Sequence, residues 1–109
     1  MDSKKKRTLE DYRYVGAQMR IFKLLVASLA DNAHGIASAA DNKKLKRAVD
    51  DINEVCFNLD EKMFQDFPEL GDDYLKVFYG ALGDAPSNTV DAEQIALAKK
   101  IVDGYFAVQ

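Results

Sequence analysis

The first long run of regularly spaced hydrophobic residues in the chain predicts a helix. After Thr8, apolar residues recur at alternating intervals of three and four, which is the period of one helix face and not of a strand. Ile21 and Leu25 widen this stripe to the breadth expected of a helix in a bundle core. The repeating positions are Tyr12, Val15, Met19, Phe22, Val26, Leu29, Ala33 and Ile36.

Both ends of this first helix carry local signals. Thr8 followed three residues later by Asp11 is close to a capping box. His34 in the last turn and a left-handed Gly35 after it supply a stop. The predicted helix therefore runs from Leu9 to His34 and is about 38 Å long.

A second long helix is predicted after a connection over residues 36–42. Asp41 or Asn42 is expected to cap it, and Pro68 and Gly71 end it near Phe67. One face carries polar residues and is expected to be exposed to solvent. The opposite, apolar face again repeats at intervals of four and three, through Leu45, Val49, Ile52, Cys56, Leu59 and Met63.

Two shorter helices are predicted in the rest of the chain. Asp72 can cap a third helix over about residues 73–82, with Gly83 as its stop. Gly80 inside that helix indicates a close backbone approach, because glycine there costs about 1 kcal/mol relative to alanine. A fourth helix, capped by Asn88 or Thr89, is expected over about residues 90–106. Its apolar stripe is Ile95, Ala98, Val102 and Tyr105, widened by Leu97, Ile101 and Val108.

This pattern predicts an all-α fold: a four-helix bundle-like single domain with two long antiparallel helices and two shorter ones. Residues 1–8 are expected to form a flexible basic tail, and residues 9–109 the helical domain. A length of 109 residues suits one domain. The 48% hydrophobic and 30% charged residues exclude a wholly disordered chain.

Cysteine content and hydropathy bear on the compartment. Cys56 is the single cysteine, so an intramolecular disulfide is excluded, which favours a reducing compartment. The uncharged run at residues 24–30 is too short to span a bilayer or to serve as a signal peptide. A cytoplasmic protein with no membrane partner is expected.

Charge is unevenly distributed along the chain. Residues 1–47 hold 11 basic and 5 acidic side chains, whereas residues 48–109 hold 4 basic and 13 acidic ones. Antiparallel helices can bring these halves together so that they screen one another. The alternative is nucleic-acid binding by the basic half, although no aromatic residue is interleaved for base stacking. The residues for that alternative are Lys4, Lys5, Lys6, Arg7, Lys43, Lys44, Lys46 and Arg47.

Catalytic and metal-binding patterns are not found in the sequence. His34 is the only histidine, and no nucleophile stands at motif spacing from it. One histidine and one cysteine do not form a zinc cluster, and neither a calcium loop nor a phosphate loop occurs. Cys56 lies in an apolar stripe and is expected to be core. No catalytic residue, metal or cofactor is predicted, and the protein is expected not to be an enzyme.

Aromatic residues concentrate in the acidic part of the chain. Six aromatics on two short segments exceed what one small core layer easily holds, so some are expected at an interface. An apolar centre with a charged rim is the anatomy of a protein-binding surface. The predicted binding residues are Phe57, Phe64, Phe67, Tyr74, Phe78 and Tyr79, with Asp66, Glu69, Asp72 and Asp73 as the rim.

The predicted function is therefore that of a non-enzymatic helical protein that binds another protein, with a homodimer as a further expected assembly. In size and composition only, the chain is similar to small accessory or inhibitor proteins of phages and mobile elements. Two alternatives stay open. One is the nucleic-acid-associated factor, and the other is an enzyme or ligand carrier with an unrecognised pocket in the bundle.

Overall fold

The computed structural model describes residues 7–80, 82 and 85–107. Within these residues the fold is all-helical, without a β-strand. It contains α1 (Leu9–Ala33), α2 (Ala39–Asp66), a short 3-10 helix (Asp72–Tyr74) and α3 (Thr89–Phe106). The all-α prediction is confirmed. A four-helix bundle is not confirmed, because the described part of the chain contains three α-helices.

The start of α1 is confirmed and its end differs in detail. The Thr8 hydroxyl accepts from the Asp11 N–H at 3.1 Å, and the Asp11 carboxylate accepts from the Thr8 N–H at 2.9 Å. At the other end, Gly35 does not adopt the predicted left-handed conformation. The backbone N–H groups of Ile36 and Ala37 instead both donate to the Ala33 carbonyl, at 3.0 and 2.8 Å, and these turns end the helix.

The predicted cap of α2 was wrong by three residues or more. Ser38 is the N-cap, and its hydroxyl accepts from the Asp41 N–H at 3.1 Å. Asn42 has a different role: its side-chain amide donates to the His34 carbonyl at 3.3 Å, which joins the two helices at their connection. The end of α2 is as predicted, since the Phe67 N–H closes the last turn onto Met63 O at 2.9 Å.

The predicted third α-helix does not form. Asp72–Tyr74 is a single 3-10 turn, Gly71 rather than Asp72 precedes it, and residues 75–79 continue as turns. A short segment that contains Gly80 has little intrinsic drive to form an α-helix. In addition, the carbonyl of Val77 accepts hydrogen bonds from the side chains of Arg20 and Gln94.

The start of the last helix is confirmed. The Asn88 side chain accepts from the Asp91 N–H at 2.8 Å, and α3 begins at the next residue. The predicted stop at Gly83 and the predicted apolar residue Val108 lie outside the described residues.

Helix α1 is the central element, because it packs against both α2 and α3. It runs antiparallel to α2: Tyr12 near its start bonds Asp66, and His34 just past its end bonds Asn42. Two core clusters lie beside it. The first contains Tyr12, Cys56, Met63, Val77, Phe78 and Val90, and the second contains Ala17, Ile21, Ala98 and Ile101.

The apolar stripe predicted for α1 is divided between core and surface. Tyr12 and Val26 are buried, as expected. Several of the other members are exposed, namely Val15, Phe22, Leu25, Leu29 and Ile36, with Ile36 at 90%. The α1–α2 pair extends beyond the region covered by α3 and by residues 71–80, which we call the covering turn, so part of the stripe has no neighbour to pack against.

Candidate functional site

Most of the predicted aromatic binding cluster belongs to the core. Phe78 is fully buried, which makes its predicted role in contacting a partner wrong. Phe64, Phe67 and Tyr74 are partly buried and pack against the first core cluster. Phe67 also meets Tyr12 edge to face, with ring centroids 6.2 Å apart. These four aromatic rings therefore fill or line the first core cluster.

Two members of the predicted cluster do reach the surface. Phe57 on α2 is 54% exposed, and Tyr79 in the covering turn is 41% exposed. The Nζ of Lys23 lies 4.8 Å from the centre of the Tyr79 ring, a cation–π distance. Burial raises the pKa of Tyr79, and the charges of Asp60, Cys56 and Glu61 raise it further.

Asp60 is the unusual side chain at this surface. Its Oδ1 atom is buried and makes no hydrogen bond to any described residue. Partial burial raises the pKa of Asp60, and the neighbouring Glu61 raises it further. An oxygen that has lost water without gaining a donor costs free energy. We call Phe57, Tyr79, Asp60 and Glu61 the aromatic–carboxylate patch.

The predicted acidic rim lies elsewhere. Asp66 is bound internally: it accepts from Arg7 Nε at 2.8 Å and from the Tyr12 hydroxyl. The hydrogen bond from Arg7, followed by that from Tyr12, lowers the pKa of Asp66 to about 2. The exposed residues Glu69, Asp72 and Asp73 follow the end of α2. The predicted rim thus surrounds the end of the hairpin and not the patch.

The most elaborate polar arrangement is buried between α1, α3 and the covering turn. Arg20 forms an ion pair with Asp91 at 2.8 Å, and the two side chains are 0% and 7% exposed. Burial opposes ionisation of Asp91. The hydrogen bonds from the Ser87 backbone and from Arg20 outweigh that effect, so the pKa of Asp91 is lowered. Gln94 accepts from Arg13 Nε at 3.0 Å and donates to Val77 O at 3.2 Å.

This buried network holds the covering turn in place. Arg20 donates to the carbonyls of Lys76 and Val77. A Cβ at Gly80 would lie 2.5 Å from Asp91 Oδ1 and 2.6 Å from Arg20 Cζ, so the predicted close approach at Gly80 is confirmed. Sequence reasoning missed the network. The available signal was a pair of polar residues, Arg20 and Gln94, adjoining the apolar positions of their helices.

The two basic runs do not form one surface. Arg7 pairs with Asp66 at the end of α2, whereas Lys43, Lys44, Lys46 and Arg47 are exposed on the first turns of the same helix. These regions are separated by about 30 Å of helix. Lys4, Lys5 and Lys6 lie outside the described residues. Arg7 and Thr8, which were predicted to belong to the tail, make defined hydrogen bonds.

The two side chains considered for catalysis or metal binding, Cys56 and His34, do not lie close together. Cys56 is buried as predicted, its Sγ lies 3.8 Å from Phe78 O, and burial raises the pKa of the thiol. His34 is exposed at the opposite end of the hairpin. No group of three or more potential metal ligands occurs among the described residues.

The cleft between α1 and α2 opens where the covering turn stops. There it forms a groove of about 630 Å³, with Ala30, Leu45 and Val49 among the apolar lining. Lys46 and Asp50 border it and pair with each other at 3.5 Å. The groove is open rather than an enclosed pocket of the kind expected for a ligand carrier.

Comparisons with models of protein families, with curated proteins and with solved structures found no match to this chain. Among the described residues, none of the helices combines the length and the apolar character that a membrane span requires.

Proposed function

We propose that this protein is a non-enzymatic binding protein, and that the aromatic–carboxylate patch contacts a basic segment of another protein. The supporting observation is Asp60, whose buried Oδ1 has no donor among the described residues, together with the exposed aromatic side chains of Phe57 and Tyr79. Rotation of the Asp60 side chain would turn its carboxylate to an arginine or lysine of a partner, and Phe57 and Tyr79 would pack against the aliphatic stem of that residue. The accessory role predicted from size and composition rests on this same binding activity.

The charge around the patch favours a basic partner over an acidic one. Asp60 and Glu61 are adjacent, and Glu54 lies one to two turns earlier on α2. Exposed aromatics with nearby charges are typical of the residues that dominate binding energy at interfaces. Lys23 already stacks over Tyr79, so a cation from a partner would replace Lys23 on this ring.

Photo-cross-linking tests the proposed surface. Phe57 is replaced by photoreactive benzoylphenylalanine, and the full chain is irradiated in the cells that naturally contain it. A discrete protein adduct is expected, and it should disappear when Asp60→Asn is added. Leu75, which is 53% exposed, is the matched control position. Equal adducts from both positions, or none from position 57, would contradict the proposal.

The Asp60→Asn variant also separates binding from stability. Because the pKa of Asp60 is raised above 3.8, its ionised form opposes folding at neutral pH. The variant should therefore be more stable at pH 7, by about 1 kcal/mol. That advantage should shrink as the pH falls through the raised pKa towards 3.8, where wild-type Asp60 also becomes neutral. Urea unfolding at several pH values measures this, and a loss of stability at pH 7 would show that Asp60 is structural.

A further inference from the structure

One side of the α1–α2 hairpin is uncovered. Gly16 and Arg20 of α1, and Cys56 of α2, face the covering turn. Since successive helix residues are about 100° apart, Phe22 and Val55 lie on the opposite side of the hairpin. Each of them is 44% exposed. We call this surface the open face, and it consists of Val15, Phe22, Leu25 and Leu29 of α1 with Val55 of α2.

The open face follows a seven-residue repeat along α1. Its α1 members, together with the polar residues Gln18 and Asn32 and with Ile36 just beyond the helix, alternate at intervals of three and four, which is the spacing of a seam between packed helices. Gln18 donates to the Tyr105 hydroxyl of α3 at 3.0 Å, but Leu25 and Leu29 are 62% and 54% exposed, so the apolar part of this seam is largely uncovered within the described chain. The repeat is Val15, Gln18, Phe22, Leu25, Leu29, Asn32 and Ile36.

The charges beside the open face match those of a second, antiparallel copy. Lys44 and Asp66 stand eleven residues before and after Val55, and Asp51 and Lys62 stand four before and seven after. By helical position all four lie within about 40° of Val55, but the carboxylate of Asp66 is held by Arg7 and Tyr12. An antiparallel copy brings Lys62 of each copy near Asp51 of the other, whereas a parallel copy brings like charges together.

The α1 part of the face fits the same symmetry. The seam carries no charged residue between Val15 and Ile36. The hydrogen bonds of Tyr12 to Asp66 and of His34 to Asn42 fix how the two antiparallel helices are aligned along their axes. In that alignment, Phe22 of α1 lies beside Val55 of α2. A single two-fold axis can therefore pass beside both residues.

We propose that a second copy of this chain covers the open face, in a symmetric dimer with antiparallel hairpins and Phe22 and Val55 near the two-fold axis. The five side chains leave on the order of 400 Å² of apolar surface exposed per copy. Together with the charged border, this approaches the roughly 800 Å² per partner of a standard interface. The two hairpins then pack face to face, as two layers of two long helices.

Adjacent leucines provide a matched test by sedimentation equilibrium of the full chain. Leu24 and Leu25 are 58% and 62% exposed, but they point about 100° apart, and only Leu25 lies on the open face. The wild type should form a dimer, Leu25→Lys should weaken it at least about 100-fold, and Leu24→Lys should leave it intact. Circular dichroism checks that both variants are helical. A wild type that is monomeric at on the order of 100 µM, or equal dissociation by both variants, overturns the proposal.

Disulfide trapping tests the antiparallel arrangement. Phe22→Cys should form a disulfide-linked dimer on mild oxidation, because the axis passes beside it, while Cys56 stays buried and unreactive. Val15→Cys should cross-link to a copy that carries Leu29→Cys and not to itself. Self-linkage of Val15→Cys would overturn the antiparallel geometry. Leu25→Lys leaves the aromatic–carboxylate patch unchanged, so failure of one proposal is distinguishable from failure of the other.

Discussion

The two halves of the α1–α2 hairpin share one amphipathic pattern but differ in what covers them. In the proximal half, residues 9–21 and 52–66, the covering turn and α3 bury Ala17 and Met63 completely. In the distal half, residues 22–33 and 39–51, Leu29 is 54% exposed and the cleft is an open groove. The hydrophobic repeat of α1 and α2 therefore specifies the hairpin, and the shorter segments decide which part of it becomes core.

The covering segments are held mainly by polar contacts. The Arg20–Asp91 pair and the Gln94 amide fix the backbone at Val77, and the side chains of Val77 and Phe78 then enter the core. A buried ion pair is weak evidence for net stability, but it is costly to break from one side. The two halves should therefore respond differently to the same kinds of substitution.

The largest difference is expected from removing one buried charge. Arg20→Met leaves Asp91 buried and unpaired, and should lower the free energy of unfolding by about 3–5 kcal/mol. In the distal half, Lys46→Met removes an exposed pair with Asp50, whose side chains are 78% and 62% exposed, and should cost no more than about 0.5 kcal/mol. Urea unfolding measures both.

The double variant Arg20→Met with Asp91→Leu serves as the control for this prediction. Removing both charges also removes the uncompensated carboxylate, so the double variant should be more stable than Arg20→Met alone. If the double variant is no more stable, packing of the arginine stem and not its charge holds the turn.

A smaller difference in stability is expected between alanine substitutions of two glycines. Gly80→Ala places a Cβ 2.5 Å from Asp91 Oδ1, in a network that cannot easily yield, and should destabilise the protein by about 2 kcal/mol. Gly35→Ala, at the distal connection, meets nothing within 4 Å and does not require a left-handed residue. Its effect should stay within about 0.5 kcal/mol of zero. Equal thermal stabilities for the two variants would mean that the network moves aside for the added methyl.

The long helices could be predicted from sequence because their signals are local. The capping box at Thr8, the cap at Asn88 and the three-four repeats depend on residues that are close in the chain. The third helix could not be predicted in the same way. Its carbonyls are bound by Arg20 and Gln94, which are 57 and 17 residues from Val77. Because these side chains compete for the carbonyls from distant positions in the sequence, the competition leaves no periodic pattern in the segment itself.

The residue types of the candidate site could be predicted from the sequence, but the position of the site in the fold could not. The sequence indicated surplus aromatics in an acidic region, and Phe57 and Tyr79 do reach the surface. It could not show that Phe78 would fill the core, because the same residue type serves both roles. It also assigned Asp66 to an exposed rim, whereas Arg7, 59 residues away, binds it.

The smallest predicted effect concerns the bond that closes the proximal end of the hairpin. Asp66 has a pKa of about 2 in the folded protein against 3.8 as its ordinary value, so its contribution to stability is present above pH 3.8 and is lost as the pH falls towards 2. Asp66→Asn should therefore lower Tm by about 2–4 °C at neutral pH. The difference from wild type should narrow between about pH 4 and pH 2, and the contribution of Asp91, present in both proteins, cancels. Arg7→Gln removes the principal donor, so adding Asp66→Asn to it should change Tm little. If the difference in Tm between wild type and Asp66→Asn persists unchanged down to pH 2, the effect of Asp66 comes from its hydrogen bond with the Tyr12 hydroxyl and from packing. The charge of Asp66 would then not contribute to closing the proximal end of the hairpin.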